Sequence, residues 1–264
     1  MIGKITVPFR VLVLCLYLFL LGPMLIVVPL SFSNDSYLVF PPQSWGVRWY
    51  EAMFSHDKLL QAFRVSLGIA AVVTALSLAV GVPVPAYAVR RWRFPGRDAL
   101  LSLFTAPLLL PSIVLGLAIL LVFANAGLLG TYTGLIAAHL VVTTPYVMRI
   151  MTTAFATLPP SVEEAAAMLG AAPLTVFRRV TLPLLAPGFV ASAALSFLIS
   201  FDEVVISLFI TGPRLKTLPV EIFDYVESRT DPMTAAVSVM LIVATLFVVF
   251  LVERTLGMSR ALGK

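Results

Sequence analysis

The chain has 264 residues, of which 60% are hydrophobic and 12% charged, with a mean hydropathy of +1.02 and a formal net charge of +5. Water-soluble domains carry about 25% charged and 45–50% apolar residues, so this composition excludes a globular protein with a fully hydrated surface and makes lipid the solvent. The single cysteine, Cys15, excludes an intrachain disulfide.

A helix crosses the roughly 30 Å hydrocarbon core in about 20 residues. Six runs reach that length, at residues 11–30, 63–89, 99–123, 129–155, 187–210 and 233–252. Backbone groups in lipid must pair within their own segment, and strand-length alternation is absent, so the predicted fold is all-α and polytopic, with about six transmembrane helices. The first run is longer than the roughly 7–15 apolar residues of a secretory signal, and Ser31-Phe32-Ser33 imitates a cleavage site only weakly. It reads as a retained anchor.

Between the first two runs, Trp45, Trp49 and Tyr50 suit an interface, and residues 45–54 are predicted as a short helix lying flat on the outer leaflet. Pro83, Pro85, Pro107, Pro111 and Pro145 fall inside the runs and predict kinks. Basic residues set the orientation. With the N-terminus inside, twelve of the eighteen fall on cytoplasmic segments: Lys4, Arg10, Arg90, Arg91, Arg93, Arg97, Arg149, Arg178, Arg179, Arg254, Arg260 and Lys264. Both termini are therefore placed in the cytoplasm, and the positive charge reads as topology rather than nucleic-acid binding.

The segment between the fourth and fifth runs, residues 158–183, has its own local logic. Ser161 and Glu164 have capping-box spacing after the turn-forming Pro159-Pro160. Gly170 suits the left-handed position after a helix. Pro173 can open a second helix, which Pro183 would end near Thr181. The three alanines Ala165–Ala167 leave a low surface that another protein could approach closely; a membrane-surface helix using Arg178 and Arg179 is the other reading.

Glu164-Ala165-Ala166, three residues, Gly170, nine residues, then Val180-Thr181-Leu182-Pro183 resembles the EAA loop of type I ABC importer permeases, with Val where Ile is usual. The resemblance covers about residue 61 to the C-terminus. It implies a type I permease core at 61–257 with the loop at 158–183, preceded by a transmembrane helix and outer segment at 1–60 and followed by a short tail at 258–264. It also implies that Glu163, Glu164, Ala165, Ala166, Gly170, Leu182 and Pro183 couple the chain to a separate ATPase subunit, whose groove takes the first helix of the loop, with Glu164 as contact and Gly170 as turn. The motor must come from that subunit: no G-x-x-x-x-G-K-[ST] occurs in this chain. No cofactor is expected here, ATP and Mg being bound by the partner. His56 and His139 show no ligand spacing, so neither a metal site nor catalysis is expected.

Asp202 and Glu203 lie inside the fifth run, where an acid is a functional-site hypothesis by default. Asp202 is 15 residues beyond Pro187, roughly 22 Å along a continuous helix, and adjacent acids on a helix point about 100° apart. Such acids would attract a cationic solute; the structural alternatives are pairing with an arginine of a neighbouring subunit or capping a broken helix. Ser200-Phe-Asp-Glu-Val-Val-Ile-Ser207, with Thr211-Gly-Pro213, Thr217-Leu-Pro219 and Asp231-Pro232, is similar to the second permease subunit of spermidine/putrescine importers. That likeness implies a homologous sister permease, two ATPase copies and a periplasmic or lipid-anchored binding protein. Importers of 2-aminoethylphosphonate, other amino compounds and ferric iron are related. An ion-gradient-driven carrier is the alternative class, although the two halves show no internal repeat; a membrane assembly subunit without a path is the third.

Overall fold

The computed structural model describes residues 7–86 and 95–256. Lys4, Arg90, Arg91, Arg93, Arg260 and Lys264 of the topology reading, the end of the second run and the tail at 258–264 lie outside them. The helices are α1 (Val7–Ser31), α2 (Arg48–Phe54), α3 (Asp57–Gly81), α4 (Pro83–Ala86), α5 (Arg97–Thr105), α6 (Ser112–Ala126) and α7 (Tyr132–Thr157). They continue with α8 (Pro160–Met168), α9 (Pro173–Val176), α10 (Leu182–Leu184), α11 (Ala186–Phe201), α12 (Val205–Ile210), α13 (Leu218–Ser228) and α14 (Met233–Leu256). Among the described residues the only β pairings are two isolated bridges, Ser33 with Trp45 and Gly212 with Leu215.

Among the described residues four helical stretches are long and apolar enough to cross a membrane, or up to six if each of two bent pairs is one span. The bend in the third run falls where Pro107 and Pro111 predict a kink. In the third run, Arg97–Leu109 and Ser112–Ala126 meet at 108°. Pro107 lies in a 3-10 turn over Ala106–Leu109, and Leu110 is extended at φ −93°, ψ 139°. The ring of Pro111 forbids Leu110 the helical conformation, so the chain turns there. The second bent pair is Pro173–Leu184 with Ala186–Phe201, at 67°; the fifth run of the sequence is instead broken into α11 and α12, separated at 202–204. Pro145, by contrast, sits within α7 without ending it. The short helix expected from residue 45 begins at Arg48, because Trp45 is held in the bridge to Ser33.

The described residues divide into two compact units. One comprises residues 61–86, 95–221 and 247–256. Its core joins Val65, Ile69 and Val73 of α3, Ile119 of α6, Leu135 and Ala138 of α7, and Ile206 and Ile210 of α12. A second cluster gathers Val82, Val147, Met151, Phe155 and Leu185. α11 packs along α7, and a Cβ on Gly188 would stand 2.9 Å from the Ala154 methyl. Lipid gives apolar helices no hydrophobic drive to associate, so such close small-residue contacts supply the packing.

The other unit comprises residues 7–60 and 222–246. All residues of α1 before Ser31 keep some exposure, as a lipid-facing anchor does. The Asp35 carboxylate organises the loop that follows, accepting from the Ser44 and Ser33 hydroxyls at 2.6 and 2.9 Å and from the Gln43 N–H at 2.9 Å. These bonds, Ser44 foremost, hold its carboxyl below the ordinary range. The Trp49 indole N–H donates to the Asp35 carbonyl, and Tyr50 Oη to Ser31 Oγ, which ties α2 to the end of α1.

Tyr225 is buried and donates to Asp231 Oδ2 at 2.7 Å, while Asp231 Oδ1 accepts from the Met233 N–H at the start of α14. Burial, and then the Asp231 carboxylate, push this phenol up to about 12. An unfolded tyrosine titrates near 10, so the stabilisation is complete below about pH 10 and is lost as pH rises through the folded value. Tyr225→Phe should therefore cost about 1–2 kcal/mol below pH 10 and remove part of the alkaline fall in stability. Thermal denaturation of both proteins in detergent from pH 8 to 12 measures this; parallel pH profiles would refute it.

Candidate functional site

The first candidate is the segment joining α7 to α11. α8 starts at Pro160, one residue before the expected cap, with Pro159 as N-cap and no side-chain capping bond. The capping box of Ser161 and Glu164 therefore does not form: proline's fixed φ opens the helix a residue early and carries Ser161 into its first turn. The end of α8 follows the sequence closely. Gly170 has φ +83°, its N–H donates to the Ala167 carbonyl at 2.9 Å, and the Ala171 N–H reaches Ala166 at 3.2 Å. Together these form a complete Schellman turn.

The second helix opens at Pro173 as expected, but Pro183 does not end it. Phe177–Thr181 adopts π spacing, with the Leu182 N–H reaching back to the Phe177 carbonyl. The coil is thereby widened one turn ahead of Pro183, whose ring would otherwise press on the carbonyl four residues back. The helix continues through α10 and bends by 67° into α11.

A short bond joins the two layers of this hairpin. The buried Thr181 hydroxyl donates to Glu163 Oε1 at 2.6 Å. Glu163 thus faces inward to the second helix, whereas Glu164, Ala165 and Gly170 face outward and Ala166 is half-buried. At the tip, Met168 and Leu169 are each 90% exposed and Leu174 67%. Leu182 is half-buried and Pro183 exposed at the base.

The second candidate is the break in the fifth run. α11 ends at Phe201, so Asp202 is its C-cap, and the pair does not project 100° apart from one helix. Asp202 is exposed. Glu203, half-buried, accepts from the Ile206 N–H at 3.0 Å and so caps α12. Capping, weighed for the pair as a structural alternative, describes Glu203.

Sequence reasoning considered His139 of α7 only as a metal ligand or catalytic group and missed its partners. Its ring is 1% exposed, with Nδ1 2.9 Å from Ser200 Oγ and Nε2 3.0 Å from Ser207 Oγ. Ser200 precedes the break and Ser207 follows it. The Thr143 hydroxyl donates to the His139 carbonyl and pairs with Ser77 Oγ of α3 at 2.8 Å. The only signal available beforehand was a lone histidine in an apolar run, where a polar side chain must find a partner. Among the described residues no group of His, Cys, Asp and Glu has metal-binding geometry.

Residues 71–255 match the family described as "Binding-protein-dependent transport system inner membrane component". The chain is 34% identical over 255 residues to the putrescine transport system permease protein PotI of Escherichia coli (strain K12), covering 92% of this chain and 89% of that one. It is 34% identical over 236 residues to the spermidine/putrescine transport system permease protein PotC of Haemophilus influenzae, covering 89% and 91%. Among solved structures it is similar in fold to a chain of a bacterial ABC transporter involved in the import of the acidic polysaccharide alginate. There the TM-score is 0.68 at 18% identity, over 93% of this chain and 94% of that one.

Thr181→Val keeps the shape of the hairpin and deletes its internal bond. With Glu163 half-buried, the loss should be about 1 kcal/mol, opening α8 about fivefold more often. Hydrogen exchange of the α8 amides should quicken by that factor; unchanged exchange would show that the bond does not hold the two helices together.

Proposed function

Because this chain belongs to the family of binding-protein-dependent transport system inner membrane components, we propose that it is one of two homologous permease subunits of an ATP-driven importer that carries polyamines. It is a non-catalytic subunit. ATP and Mg are held by two copies of a partner ATPase, and solute is delivered by a periplasmic or lipid-anchored binding protein. Both termini lie in the cytoplasm, which puts the α8–α9 hairpin on the side where ATP is hydrolysed.

One observation carries the choice of solute: the likeness, over nine-tenths of the chain, to a permease named for putrescine. The chemistry of the fifth span supports it. Asp202 stands exposed where the helix is interrupted, and a carboxylate there can meet an ammonium group crossing the bilayer. Glu203, committed to the α12 cap, holds the other side of the interruption.

The hairpin supports the docking of an ATPase. Met168, Leu169 and Leu174 are exposed, and exposed apolar side chains at the end of a projection suit insertion into a groove of another protein. Glu164 and the alanines beside it line the approach. Glu163 supports the hairpin from within through Thr181. The loop can therefore transmit displacement between the ATPase and α11, to which it is joined directly.

Uptake of labelled putrescine and spermidine is measured in cells lacking other polyamine importers, with and without this chain and its partner subunits. Saturable, ATP-dependent uptake that requires this chain is the expected result; none, with the complex shown to be assembled, would overturn the choice of solute. Gly170→Pro cannot adopt the positive φ of the Schellman turn, and should abolish uptake while membrane insertion persists. Normal uptake in that variant would refute the docking role. Asp202→Asn should lower polyamine uptake per assembled complex by about tenfold, the effect of roughly 1.4 kcal/mol; unchanged uptake would remove Asp202 from the path.

A further inference from the structure

We propose that His139 is a positioning residue for transport: a clamp that sets the geometry of the interruption carrying Asp202 by binding the helix on both sides of it. This rests on the reading of Asp202 as a pathway group. A five-membered ring bonded at both nitrogens is a spacer of fixed length. Here one nitrogen meets Ser200, two residues before Asp202, and the other meets Ser207, four residues after Glu203. All three side chains are buried, at 1%, 2% and 0% exposure. Serine hydroxyls both donate and accept, so the pair is satisfied in either ring tautomer.

On a continuous helix, residues seven apart stand about 10.5 Å apart along the axis. Across an interruption no backbone ladder enforces their spacing, and some other contact must. Glu203 fixes only the first turn of α12, through the Ile206 N–H, and says nothing of where α11 ends. His139 alone among the described contacts touches both halves with side-chain hydrogen bonds, and it does so from α7. Its own backbone is fixed in turn, since Thr143 donates to the His139 carbonyl and pairs with Ser77 of α3. The position of Asp202 is thereby referred to two helices outside its own span. A histidine that merely filled space could satisfy itself on one neighbour; this one is divided between two segments that flank the acids.

The test uses the assembled transporter in proteoliposomes, with its sister permease, ATPase and binding protein, and reads putrescine moved per ATP hydrolysed alongside the amount of assembled complex. Ser207→Ala, the mildest cut, should lower that ratio about three- to tenfold, as loss of one buried hydrogen bond implies. His139→Leu should lower it further, and His139→Gln, which keeps a polar end, should fall between. In an Asp202→Asn background, Ser207→Ala should have no further effect on the ratio. A purely structural histidine would reduce the amount of complex and leave the ratio unmoved, and that result overturns the clamp, as does an Ser207→Ala effect that simply multiplies with that of Asp202→Asn. The two readings fail separately. A ratio lowered by Asp202→Asn but not by Ser207→Ala sinks the clamp alone; a ratio untouched by Asp202→Asn removes the pathway acid, and the clamp's function with it.

Discussion

A backbone N–H or C=O facing hydrocarbon without a partner costs several kcal/mol, and there is no water in the bilayer core to supply one. This constraint governs every place where the spans of this protein depart from a helix. The fifth span can be interrupted at 202–204 because a carboxylate caps the second half, a histidine on a neighbouring helix bonds the hydroxyls on either side, and the segment packs within the bundle. The third span bends at Leu110-Pro111, where proline removes an N–H that would otherwise need an acceptor. Interruptions are thus confined to sites where side chains or proline chemistry dispose of the freed groups, and one of those sites holds the acids.

The same bookkeeping of backbone partners gives the α8–α9 hairpin its stiffness. Its turn is closed by two backbone bonds across Gly170, its second helix absorbs Pro183 by widening to π spacing, and its two layers are pinned by Thr181 and Glu163. The hairpin is joined to α11, whose end carries Asp202, through Leu185 alone. Met168 and Leu169 at its tip remain nine-tenths exposed.

The two acids show how neighbouring residues of like chemistry divide their tasks. Glu203 has one more methylene than Asp202 and can fold back onto the Ile206 N–H, so it becomes part of the scaffold. Asp202, at the end of α11, is left exposed. Two adjacent glutamates make a similar division in the hairpin, where Glu163 turns inward to Thr181 and Glu164 outward.

The number and approximate limits of the spans, the Schellman turn at Gly170 and the opening of the second hairpin helix at Pro173 were legible in the sequence, because run length, glycine's access to positive φ and proline's fixed φ are local properties. The interruption at Asp202 was not, since Ser200 to Ile210 is apolar enough to pass as continuous helix and its break is stabilised by a histidine some sixty residues away. Nor could spacing alone tell which of two adjacent glutamates turns inward, or that Pro183 would sit within a helix rather than end it. Those outcomes depend on which partner each group finds in the folded chain: Thr181 of the same hairpin for Glu163, and for the interruption within lipid, which offers no partner, a histidine on another helix.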